Sequence, residues 1–72
     1  MTLLELLKRI HYKQKIDLFN NNCTVLLLDK TREEIINLLL TEKQEKFREI
    51  LNCEIQMIEA NNNLSIELQK SF

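Results

Sequence analysis

"EKQEKFREILNCEIQMIEANNNLSIELQ", Glu42 to Gln69, is the stretch on which the fold turns. Its apolar residues recur with a period of 3.5. With Phe47 at an a position, Glu54, Asn61 and Leu68 follow at a. Ile50, Met57, Leu64 and Ser71 fall at d, and Leu51, Ile58 and Phe72 at e. This pattern predicts one amphipathic helix of about 28 residues, ~42 Å long. A chain of 72 residues cannot cover such a helix by itself, so a partner is implied. Asn61 at a core position fits the device by which a coiled coil fixes its register. A second reading also stands. Three weak helix formers in a row, Asn61–Asn63, break the helix, and "LSIELQKSF" (Leu64–Phe72) folds back. Glu54 lies on the apolar seam and there needs a partner. A Lys or Arg from a second copy is the expected one.

Upstream, "TREE" places Thr31 and Glu34 at capping-box spacing. A short helix follows, nearly all apolar through Ile35, Ile36, Leu38, Leu39 and Leu40, which implies burial on several sides. Thr41 and Gln44 repeat the capping spacing, so the chain either bends there or runs through. Thr2 and Glu5 form a third such pair, and they start a first helix that extends to about Phe19. At 100° per residue Leu3, Leu4, Leu6, Leu7, Ile10 and Leu18 share one broad face. Tyr12, Ile16 and Phe19 form a smaller patch opposite. Asn20–Asn22 end this helix. "CTVLLL" (Cys23–Leu28) reads as an extended connector, with a short buried strand or the first turn of the second helix as alternatives. The expected fold is therefore all-α: one domain spanning residues 1–72, two to three helices, a long C-terminal amphipathic helix and a homodimer with coiled-coil character.

Composition supports an assembly. A chain this short carries a core worth only ~3–5 kcal/mol, yet 44% of its residues are hydrophobic. Cys23 and Cys53 give one disulfide at most, and together with a single histidine they make no zinc pattern. There is no Gly and no Pro. That removes every Gly-rich phosphate loop and with it the nucleotide-binding fingerprints. The eight asparagines are the residues best able to replace Gly where φ is positive. The longest apolar runs, Val25–Leu28 and Leu38–Leu40, are far below the ~20 residues of a membrane span. The first residues have the wrong charge order for a signal peptide. A cytoplasmic protein with no membrane role is expected, in the host cytoplasm if phage-encoded.

No nucleophile is paired with a base, so an enzyme is not expected, nor a cofactor or metal. "KRIHYKQK" (Lys8–Lys15) is the basic segment. On a helix its cations straddle the apolar stripe, as solvated flanks do, and do not gather on one phosphate-tracking face. His11 projects onto that stripe. Leu7, Lys8, Gln14 and Lys15 stand at helical ligand spacing from it and supply no metal ligand. The residues expected at a dimer or partner interface are Leu3, Leu7, Ile10, Tyr12, Ile16, Phe19, Phe47, Ile50, Glu54, Met57, Ile58 and Asn61. An acidic face with Glu49, Glu59 and Glu67 is the candidate surface for a target. The net charge is only −1, but the N-terminal part is basic and the C-terminal part acidic.

The functional expectation is a small non-enzymatic interaction protein that binds and modulates or inhibits a larger macromolecule. Small size and Ile, Asn, Lys and Leu richness suggest a bacteriophage or mobile-element protein acting on host replication, transcription or defence. The alternative is a small dimeric nucleic-acid-binding regulator that uses the basic N-terminal helix. Four glutamates on the would-be reading helix, among them Glu42 and Glu45, speak against DNA contact there.

Overall fold

The computed structural model describes residues 1–41 and 45–70, with the backbone alone at residues 45–47. The described residues form three short helices and four strands in the order α-β-β-α-α-β-β. They are α1 (Leu3–Leu7), β1 (Ile16–Phe19), β2 (Val25–Lys30), α2 (Arg32–Thr41), α3 (Glu45–Leu51), β3 (Ile55–Ala60) and β4 (Leu64–Leu68). The strands form one mixed sheet in the order β2-β1-β4-β3. β1–β2 and β3–β4 are antiparallel hairpins. β1 and β4 run parallel at the centre, where Ile16 stands beside Leu64 and Leu18 beside Ile66.

The all-α, coiled-coil expectation is therefore corrected. Ile66 shows why the helical period failed. Leu64 and Leu68 are four apart and suit either a helix or a strand. Ile66 between them suits only a strand, because in a helix it would turn away from both. It is fully buried with Leu68, while Ser65 and Glu67 point to the other face. The same holds for Ile16 and Leu18. A helical wheel puts them on different patches, yet two residues apart in β1 they share one face, and both are fully buried. The first helix accordingly ends at Leu7 and does not reach Phe19. No described element approaches the ~42 Å of the expected C-terminal helix, since the longest dimension of the fold is 30 Å.

Asparagine shapes both hairpin turns. Asn20 is buried, and its Oδ1 accepts from the N–H groups of Asn22 (2.9 Å) and Thr24 (3.0 Å). Cys23 then takes φ +60°, a left-handed value usually given to glycine, which this chain lacks. In the second turn Asn61 N–H donates to Asn63 O at 3.1 Å. The segment expected to be extended at Cys23–Leu28 is this first turn running into β2.

Two capping boxes hold as read. Thr2 accepts from Glu5 N–H at 3.3 Å, and Thr2 N–H donates to Glu5 Oε1 at 3.2 Å. Thr31 and Glu34 exchange the same pair of bonds at the start of α2. The pairing expected at Thr41 and Gln44 lies outside the described residues at Gln44, as do the positions Ser71 and Phe72 and the side chain of Phe47.

The core lies between the helices and one face of the sheet. Leu3, Leu7, Ile10, Ile35, Leu39, Ile50 and Leu51 pack from the helical side onto Ile16, Leu18, Ile66 and Leu68. The first residues add a short ladder beyond β3: Leu3 N–H donates to Cys53 O (2.9 Å) and Ile55 N–H to Met1 O (3.0 Å). Among the described residues, no helix is long and apolar enough to cross a membrane.

Candidate interaction surface

All three helices lie on one side of the sheet, so among the described residues its other face carries no covering element. Strand alternation decides what that face presents. β1 supplies Asp17 and Phe19, and β4 supplies Ser65 and Glu67. β3 supplies Met57 opposite Glu67 and Glu59 opposite Ser65. β2 supplies Val25 opposite Phe19. Phe19, Cys23, Met57, Glu59, Ser65 and Glu67 line a shallow hollow of about 210 Å³. Its floor is apolar and its charged groups are carboxylates, Glu59 exposed and Glu67 buried. The only basic residue in a described strand, Lys30, stands opposite Ile16, in register with the helical face.

Two arrangements fix this surface. At one end Asp17 Oδ1 accepts from Asp29 N–H at 2.9 Å and from Asn63 Nδ2 at 3.1 Å. The same Nδ2 donates to Asp29 Oδ1 at 3.2 Å, which ties both hairpins together. Asp29 reaches this position with φ +54°, at a register irregularity of β2. At the other end the Cys23 thiol donates to Glu67 Oε1 at 3.6 Å. The Glu67 charge, then its hydrogen bond, then burial raise the Cys23 pKa above its ordinary value. The thiol is held protonated and is a poor nucleophile.

The expected interface residues scatter. Leu3, Leu7, Ile10, Ile16 and Ile50 are buried in the chain's own core. Phe19 is half-buried on the open face, and Met57 and Ile58 stand half-exposed on β3. Asn61 is exposed in the β3–β4 turn. Glu54 sits on no seam. It is exposed and pairs with the Met1 amino group of the same chain at 2.7 Å. The expected acidic set divides. Glu59 and Glu67 share the open face, while Glu49 lies on α3 beside Arg48, Asn52 and Lys70. Asp17, Asp29 and Asn63 were not singled out from the sequence. The alternation of "KIDLF" (Lys15–Phe19) was the signal that could have found Asp17.

The basic segment is an exposed loop, so the expectation that His11 lies on an apolar helix face is also corrected. Lys8, Arg9, His11, Tyr12, Lys13 and Lys15 are all exposed. The His11 and Tyr12 rings stack with centroids 4.7 Å apart, and Lys13 Nζ lies 5.7 Å from the Tyr12 centroid. Arg32 Nη1 donates to Ile10 O at 2.7 Å, and Lys15 Nζ pairs with Glu34 at 3.7 Å; both anchor the loop to α2. Among the described residues, no three His, Cys, Asp or Glu side chains gather as a metal site would require. No family model, curated protein or solved structure matches this chain.

Proposed function

We propose that this is a non-enzymatic interaction protein that docks the open face of its sheet onto a basic surface of a larger protein. The observation that carries this reading is the chemistry of that face. An apolar floor of Phe19, Val25 and Met57 carries the carboxylates of Asp17, Asp29 and Glu59, with Glu67 buried among them, and no described strand places a cation on that face. Apolar area supplies affinity, and the carboxylates select a Lys- or Arg-bearing partner and speed its approach. Such a docked protein modulates or blocks whatever its target does with that basic surface. Host replication, transcription or defence machinery, met by a phage or mobile-element protein, is where the target is to be sought.

The test is binding to a defined cationic probe, a Lys-rich extended peptide, followed by capture from a bacterial lysate. The wild-type chain binds the peptide in a salt-sensitive way, and Glu59→Lys weakens binding about tenfold, a loss of roughly 1.4 kcal/mol. Lys8→Glu, on the far loop, leaves binding intact or strengthens it. Equal binding by wild type and Glu59→Lys, with the fold intact by circular dichroism, sinks the reading.

A second reading has its own observation. The exposed Lys8–Lys15 loop joins cations to a stacked His11–Tyr12 pair, the combination used to hold single-stranded nucleic acid. Titration of a labelled single-stranded oligonucleotide separates the two. Salt-sensitive binding lost in Tyr12→Ala favours the nucleic acid, and a flat titration removes it.

A further inference from the structure

We propose that a second copy of this chain pairs with β3, edge to edge and antiparallel, about a two-fold axis at Ile58. The outer side of β3 is open over one defined stretch. Its start is occupied by the chain's own first residues, through the bonds from Leu3 to Cys53 and from Ile55 to Met1. Its end is closed by the turn at Asn61–Asn63. Between them, among the described residues, Gln56–Ala60 has no neighbour on that side.

The side chains of this stretch identify strand addition as the means of covering it. Met57 and Ile58 are consecutive and point to opposite faces, yet they are 50% and 46% exposed. A ligand on either face covers one of them. A strand laid beside β3 shields both and also satisfies the free edge groups. The opposite edge of the sheet is guarded. β2 carries two register irregularities, a residue at φ +54° and the charges of Asp29 and Lys30. β3 has one register irregularity, between Ile55 and Met57 at the start of the open stretch; from Met57 to Ala60 it pairs regularly with β4, has no Lys and no Pro, and carries Glu59 as its only charge.

Charge and parity then select one register. With the axis at Ile58, each Ile58 faces its counterpart and Met57 faces Glu59, which uses the regular part of the free stretch, while Gln56 sits at the register irregularity between Ile55 and Met57. An axis at Glu59 sets two carboxylates directly opposite, which is destabilising. An axis at Met57 demands pairing by Ile55, whose N–H is already given to Met1. A register shifted by one residue places Met57 against Ile58 and turns one sheet over relative to the other. The chosen register keeps both helical layers on one side of a continuous eight-stranded sheet. The two open faces become neighbours on the other side. This inference does not rest on the proposed docking of that face.

The experiment is a sedimentation series of the isolated protein from roughly 1 to 300 µM, the range in which an interface below standard size associates. The mass is expected to rise to twice the monomer value in wild type and to stay monomeric in Ile58→Lys. Ile58→Cys, in a Cys23→Ser background, is expected to form a disulfide-linked dimer under mild oxidation. Directly opposed residues lie about 4.5–5.5 Å apart, within the range a disulfide spans. Glu33→Cys, exposed on α2, is the control and stays unlinked. A monomer across the whole series overturns the proposal and leaves the edge for a foreign strand. A dimer that persists in Ile58→Lys, with no link through Ile58→Cys, overturns it equally.

Discussion

At the scale of single residues, this chain does with asparagine and a few off-pattern residues what others do with glycine. Asn20 builds a turn with its own side chain, which allows Cys23 to sit at positive φ. The position of Cys23 has a chemical consequence. Its thiol is exposed, yet the neighbouring Glu67 carboxylate holds its pKa above the ordinary value. Wild-type Cys23 is therefore expected to react slowly with a disulfide reagent at mildly alkaline pH. Glu67→Gln removes the negative charge and returns the thiol towards ordinary acidity, so the rate should rise several-fold. Buried Cys53 serves as the internal control, since it becomes reactive only on unfolding. Equal rates at Cys23 in the two proteins would show that the carboxylate does not govern the thiol.

At the scale of elements, the helix starts were legible and the strands were not. Thr2–Glu5 and Thr31–Glu34 could be read from spacing because a capping box is local chemistry, complete within four residues. Each box also lowers the pKa of its glutamate, first through the bond from the threonine backbone, then through the hydroxyl. Glu33 is lowered as well, chiefly by its bond from Arg32. The sign follows from the direction. A carboxyl whose folded pKa is below its ordinary 4.5 stabilises the fold above that pH. The contribution is lost as pH falls through the folded value. Melting temperature is therefore expected to drop on acidification below 4.5, and less steeply in Thr31→Ala, which already lacks one box. At neutral pH that variant should cost about 1 kcal/mol, the usual worth of an N-cap. The strands escaped notice because β3 and β4 satisfy two periods at once. Met57, Leu64 and Leu68 fit spacings of seven and four, and a heptad fitted to them simply passes over Ile66. With no Gly or Pro to mark the turns, Asn61–Asn63 read equally as a coiled-coil core position and as a break. The open face was hidden for the same reason. Glu59 and Glu67 were seen as acidic residues of a helix, whereas Asp17 and Phe19 join them only once β1 lies beside β4.

At the scale of the whole molecule, the described residues leave one sheet face and the outer side of β3 uncovered, although a chain of this length permits only a small core. Composition had already pointed to an assembly, but through a helical seam that does not exist. Leu3, Leu7, Ile16 and Ile50, expected to meet a partner, are instead the interior. The apolar surplus is left at β3 and on the open face, and a second copy added at β3 would cover part of it. Self-association then couples to stability, because a species that binds only the folded form shifts unfolding by mass action. The thermal midpoint of the wild-type chain should consequently rise with protein concentration. A hundredfold increase should contribute about 2.8 kcal/mol per dimer where dimer dominates, or about 1.4 kcal/mol per chain, since 1.4 kcal/mol accompanies each factor of ten. For a domain of this size each kcal/mol moves the midpoint by roughly 4–8 °C. Ile58→Lys should melt at a temperature independent of concentration, near that of wild type at high dilution, because the substituted side chain is half-exposed in the single chain. Calorimetry at two concentrations of each protein distinguishes the cases. A wild-type midpoint that does not move would mean that this core is stable without a partner, and that the free edge of β3 is tolerated.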